Sequence, residues 1–126
     1  MRIFKQGYKI NFVDTKDVLV GFDNGQDCCE NFGYCLSLKI PTCDCNGDYG
    51  DFTPDNLDLL IFDKEWFKQL SKDEDGDGGG LITFKLINPN DTEDIVYLSL
   101  YNHHNGYYSH GFEVSVGGEI VKDGAL

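Results

Sequence analysis

Residues Asp94–Val114, D-I-V-Y-L-S-L-Y-N-H-H-N-G-Y-Y-S-H-G-F-E-V, carry the strongest hairpin signal in the chain and hold all three histidines and four of the seven tyrosines. Asn105-Gly106 suits a type I′ turn, because both central positions need φ > 0 and Asn and Gly tolerate it best. Val, Ile, Tyr, Leu and Phe on either side favour extended chain. With those two residues as the loop, His104 faces Tyr107 and the ladder runs back to Tyr97 opposite Val114. One face of the ribbon then carries Tyr97, Ser99, Tyr101 and His103, opposite Val114, Phe112, His110 and Tyr108. His103 and His110 become diagonal neighbours, within reach of a shared ligand or of stacking with Tyr101 and Tyr108. The plainer account of the same face is an aromatic core layer whose histidines cap its wet end. A one-residue slip of register would exchange the two faces.

Working outward, the chain reads as strands broken by turn chemistry. Tyr8–Val13 and Val18–Phe22 form a first hairpin around Asp14–Asp17, and Asp23-Asn24-Gly25 turns the chain again. A third strand runs from Phe32 to Ile40 and stops at Pro41, which cannot donate to a ladder. Thr42–Pro54 is a loop, and Leu57–Phe62 is a short apolar run read as strand. Asp63 caps a helix over Lys64–Leu70, with Glu65 in its first turn, Lys68 near its end and Trp66, Phe67 and Leu70 along one side. Ser71–Gly80 is a polar, glycine-heavy loop. Leu81–Ile87 is a strand, Asn88–Asp91 a turn, and Gly117-Gly118 opens a last strand at Glu119–Lys122. The expected architecture is α+β: a mostly antiparallel β-sheet of about seven short strands with one short helix, in a single domain spanning residues 1–126.

The 126 residues suffice to bury roughly two-thirds of the unfolded surface, so no staples are required. Ten basic residues against 22 acidic ones give a net charge of −12. Phosphate recognition needs Lys and Arg, so direct nucleic-acid binding is not expected. A protein partner with a basic surface fits better, as does acidity serving only solubility. No secretory signal and no long apolar run is present, which points away from a membrane. Five cysteines, two of them adjacent, suit a reducing compartment, and a cytoplasmic location is expected.

Two constellations suggest metals. Asp73, Asp75 and Asp77, followed by Gly78, match the start of a calcium loop, but position 12 is Phe84 where a bidentate Glu belongs. That leaves an incomplete calcium site or a flexible acidic loop. Asp27, Glu30 or either Cys28 or Cys29, which would point to opposite faces of a strand, could join His103 and His110 in a mixed zinc or iron site, although neither cysteine pattern has zinc-knuckle spacing and free Cys is usually a small buried hydrophobe. A Cys–His pair for nucleophilic catalysis is conceivable. Nucleophile-elbow, phosphate-loop and zincin motifs are all missing, so an enzyme is not favoured.

Gly21–Glu30 (G-F-D-N-G-Q-D-C-C-E), Leu100–Glu113 (L-Y-N-H-H-N-G-Y-Y-S-H-G-F-E) and Gly117–Leu126 (G-G-E-I-V-K-D-G-A-L) resemble a family of small uncharacterised proteins of bacterial and phage genomes. The resemblance carries no activity. It implies that Asp-Cys-Cys-Glu and Asn-Gly-Tyr-Tyr-Ser belong to one structural unit. The functional expectation is a non-catalytic binding or interaction module using an acidic surface and the ribbon residues Tyr101, His103, Tyr108 and His110. The alternative is a metal-binding protein, with zinc or iron on His103, His110 and either Cys28 or Cys29, or calcium on Asp73, Asp75 and Asp77.

Overall fold

In the computed structural model, which describes residues 1–25, 31–40, 54–74, 79–103 and 109–126, two antiparallel sheets face each other across an apolar core. Ten strands lie among the described residues: β1 (Arg2–Gln6), β2 (Lys9–Val13), β3 (Val18–Asp23), β4 (Asn31–Ser37), β5 (Ile61–Phe62), β6 (Asp73–Glu74), β7 (Gly79–Asn88), β8 (Asp91–His103), β9 (Gly111–Val116) and β10 (Glu119–Ala125). The first sheet has the order β1-β2-β3-β9-β10 and the second β4-β8-β7-β5, with β6 also paired to β7. The protein is therefore mostly β, with more strands than the seven expected. Its helical content among the described residues is the 3-10 segments Leu57–Leu59 and Lys64–Gln69.

The expected hairpin Asp94–Val114 does not form. β8 is already paired on both edges, with β7 (Phe84 opposite Leu98) and with β4 (Leu36 opposite Leu98). A strand saturated on both sides has no row of N–H and C=O groups left for β9. β9 instead crosses to the other sheet and pairs with β3 (Val20 opposite Val114) and with β10 (Glu113 opposite Asp123). β3–β4 and β8–β9 are thus two sheet-crossing connections that interlock: β3 pairs with β9 in one layer and β4 with β8 in the other. Asn105-Gly106 lies outside the described residues, and tight glycine turns are formed at two other places. Gly117 (φ 60°) and Gly118 (φ 84°) make the two-residue β9–β10 turn, and Gly7 (φ 61°) opens the tight β1–β2 turn.

Alternation along each strand fixes the faces. Ile10, Phe12, Val18, Val20, Phe22, Phe112 and Val114 line the inner side of the first sheet. Ile82, Phe84, Leu86, Val96, Leu98 and Leu100 line that of the second. Phe12 meets Tyr34 edge-on across the gap at 5.0 Å between centroids. The first hairpin forms as expected, and Asp14 locks it to the second sheet. Its buried carboxylate accepts N–H bonds from Lys16 (2.8 Å), Val18 (3.0 Å) and Phe62 (3.0 Å).

The segment expected to be an α-helix is the 3-10 helix Lys64–Gln69, capped by Asp63, whose side chain accepts from the Glu65 N–H at 3.0 Å. With three residues per turn, Phe67 and Leu70 fall on one side and Trp66 on another. Phe67 meets Phe62 and Phe84. Trp66 donates its indole N–H to the Thr83 carbonyl at 2.9 Å and lies 6.0 Å from the Tyr97 ring. No helix among the described residues is long and apolar enough to cross a membrane.

Candidate functional site

The outer face of the first sheet carries a depression. Counting across the strands, one row of outward positions holds Phe4, Asn11, Gly21, Glu113 and Asp123; the next holds Gln6, Lys9 and Asp23. Gly21 on β3 and Gly111 on the adjoining β9 place no side chain there, so the surface sinks between their neighbours. The result is a groove of about 530 Å³ with Tyr8 and Lys9 on one flank and Asp123 and Gly124 on the other.

Gly21 has a defined steric role. The Lys9 ammonium reaches from β2 across β3 to the Glu113 carboxylate on β9 at 2.7 Å, and it passes over Gly21. A Cβ there would lie 3.3 Å from Asn11 Oδ1 and 3.6 Å from Glu113 Cγ, so a side chain would crowd the bridge. Asp23 is anchored at the end of β3, where its carboxylate accepts the Gly25 N–H at 2.9 Å. Tyr8, 81% exposed, stands at the rim as an aromatic surface open to solvent. The groove therefore offers three carboxylates, Asp23, Glu113 and Asp123, against one ammonium already engaged by Glu113. Among the described residues its lining holds no Ser, Cys or His.

The residues singled out in the sequence are distributed differently. Tyr101 and His103 sit together on the outer face of the second sheet, ring centroids 5.8 Å apart. Tyr101 lies across Gly33, where a Cβ would come within 3.0 Å of the phenolic oxygen. His110 belongs to the core instead. It is fully buried, stacked on Phe32 at 3.9 Å, and its Nδ1 is 2.8 Å from the Asp23 carbonyl oxygen. The diagonal His103–His110 pairing expected of the ribbon is thus replaced by His103 at the end of β8 on the outer face and His110 in the core just before β9. Asp73 is a strand residue in β6, opposite Leu81. Asp27, Cys28, Cys29, Glu30, Asp75, Asp77 and Tyr108 lie outside the described residues. Among the described residues, no group of three or more His, Cys, Asp or Glu side chains is placed to hold a metal ion.

The described flanks of the two sequence motifs do adjoin. Asn31 is the cross-strand partner of His103, and the His110 ring bonds to the backbone of Asp23. Burial pushes the Tyr101 phenol above its usual range, and the negative charge of an ionised Cys35 nearby adds to that. The fold thus favours the neutral phenol, and this contribution is complete below pH 10 and lost as pH rises further. Alkaline titration at 295 nm is expected to lose a late-ionising component in Tyr101→Phe. Amplitude lost in the ordinary tyrosine range instead would show that Tyr101 ionises like an exposed tyrosine.

The groove is hidden from a sequence reading because Gly21 resembles the approach to a turn and Gly111 one rung of the hairpin. Glycines inside strands are the available signal. A family model described as a domain of unknown function, DUF7448, matches residues 1–114, and the chain belongs to that family. No curated protein and no solved structure matches it.

Proposed function

We propose that this member of the DUF7448 family is a non-catalytic binding module that takes a lysine- or arginine-bearing segment of a partner protein into the groove of the first sheet. The observation that carries the reading is the set of Asp23, Glu113 and Asp123 around a glycine floor, with Lys9 as the single counter-charge. Glycine backbones let an extended or long side chain lie close to the sheet, and Tyr8 gives a cation a ring to approach. The net charge of −12 steers basic partners toward the whole surface, and the groove supplies the place where they dock. The three sequence stretches that carry the family resemblance all contribute to it: Gly21 and Asp23, Gly111 and Glu113, Asp123 and Gly124. In the bacterial or phage setting that the resemblance implies, the partner is a host or self protein with a basic surface.

Titration with a tetra-arginine peptide tests this. Binding is expected to weaken at least tenfold between about 50 and 300 mM salt, on the order set by screening of several charge contacts. Asp23→Asn/Asp123→Asn is expected to weaken it by about tenfold at low salt. Asp91→Asn/Glu93→Gln, which removes the same charge at the exposed β7–β8 turn, should leave it within about twofold. Equal losses in both double variants would reduce the effect to net charge and remove the groove from the account.

A further inference from the structure

A second depression lies where the sandwich opens at one edge, between the 3-10 helix Lys64–Gln69 and the β9–β10 hairpin. This cleft, of about 410 Å³, is lined by Phe67, Lys68, Val116, Val121 and Lys122. In a chain with 22 acidic residues its lining among the described residues contains two ammonium groups and no carboxylate. Lys68 is committed to Glu65 at 2.8 Å. Lys122 is only partly exposed and makes no ion pair among the described residues.

A β-bulge puts Lys122 there. The β9–β10 register runs from Ile120 opposite Ser115 directly to Lys122 opposite Val114, leaving Val121 as the extra residue. Val114 faces the core, so the bulge turns Lys122 from the outer side of the sheet to the inner side, at its open edge. Without it, Val121 would occupy that inward position. Bulges and inward lysines do protect edge strands from pairing. Edge protection does not require the ammonium to share a cleft with Phe67 and Val116, however. Val121 itself is left 53% exposed at the mouth.

We infer that this seam is a binding site for a single-chain aliphatic carboxylate. The chain lies on Phe67, Val116 and Val121, and the carboxylate meets Lys122. The volume is at the lower end of small-ligand pockets, which suits one medium-length chain. The site is independent of the acidic groove, which has the opposite charge and lies on the outer face of the sheet.

The test uses hexanoate, octanoate and decanoate below their micelle concentrations, followed by amide shifts in the full chain. Decanoate is expected to move the signals of Phe67, Val116, Val121 and Lys122. Affinity should tighten about fourfold for each added methylene, the equivalent of ~0.8 kcal/mol, until the cleft is filled. Lys122→Gln should weaken decanoate at least tenfold, and Lys122→Arg should retain it, which separates loss of charge from loss of fold. Decanol should bind at least tenfold more weakly than decanoate. Absence of shifts at these four residues would overturn the inference, as would decanoate binding unchanged in Lys122→Gln or decanol binding equally well.

Discussion

Leu19→Cys/Ser115→Cys, in a background with the native cysteines replaced by alanine, is expected to close a disulfide on oxidation and to gain about 2–4 kcal/mol over its reduced form. Leu19 and Ser115 are direct cross-strand partners between β3 and β9, on the outer face of the first sheet. Opposed residues of an antiparallel pair have Cβ atoms near the separation a disulfide requires. The closed loop would hold about a hundred residues, which puts the entropic effect on the unfolded chain toward the upper end of the usual range. The informative control is Tyr97→Cys/Val114→Cys, which the simple hairpin would bring face to face. In the structure Tyr97 points outward from the second sheet and Val114 into the core from the first, so that pair should stay reduced. Urea unfolding with and without reductant, together with thiol counting, reads both results. Closure of the second pair and not the first would restore β9 to the edge of β8.

The limits of the sequence reading have a physical cause visible in this pair of strands. Local chemistry is informative wherever it acts alone: Asp14–Asp17 for the first hairpin, Asn88–Asp91 for the β7–β8 turn, and Asp63 as a cap. The alternation along β8 is legible as well, but the core layer is Val96, Leu98 and Leu100 and not the face of Tyr97 and Tyr101 read as an aromatic layer. What alternation cannot convey is which strand lies alongside. β8 and β9 are both regular strands on either side of an Asn-Gly, yet instead of pairing with each other each takes one sequence neighbour (β7, β10) and one distant strand (β4, β3), an arrangement that buries both inner faces against each other. The wrong pairing carries over to the candidate site. With Tyr101, His103 and His110 set on one face of a ribbon, a ligand cluster follows, whereas the fold gives His110 to the core. Conversely, the groove depends on Lys9, Gly21 and Glu113 meeting across three strands from opposite ends of the chain. No local pattern records that meeting. The 3-10 geometry of Lys64–Gln69 is a milder case, since the cap and the apolar residues are legible but the pitch, confined between β5 and β6, is not.

His110→Ala provides the largest expected single-residue effect among the ligand candidates of the sequence. The ring is fully buried, stacked on Phe32, tilted against Phe22 at 5.9 Å, and bonded to the Asp23 carbonyl. Its removal leaves a cavity between the sheets, for which buried aromatic truncations suggest about 3 kcal/mol, and it removes the Asp23 carbonyl's bond to the ring. A loss of roughly 10–15 °C in melting temperature is expected. The backbone of His110 exchanges two hydrogen bonds of 2.8 Å with Leu126, and Leu126 O also accepts from the Asn102 side chain at 3.0 Å. Collapse at position 110 should therefore also loosen the end of β10, measurable as faster amide exchange at Leu126. His110→Phe keeps the stacking and gives up only the hydrogen bond, so it should fall between the alanine variant and wild type. His103→Ala, on the outer face, should lose no more than about 1 kcal/mol. Melting temperatures that rise from His110→Ala through His110→Phe to wild type assign the ring to packing. If His110→Ala instead melted within about a degree of wild type, the core would not depend on the imidazole, and a ligand role for it would become the better explanation of a histidine at that depth.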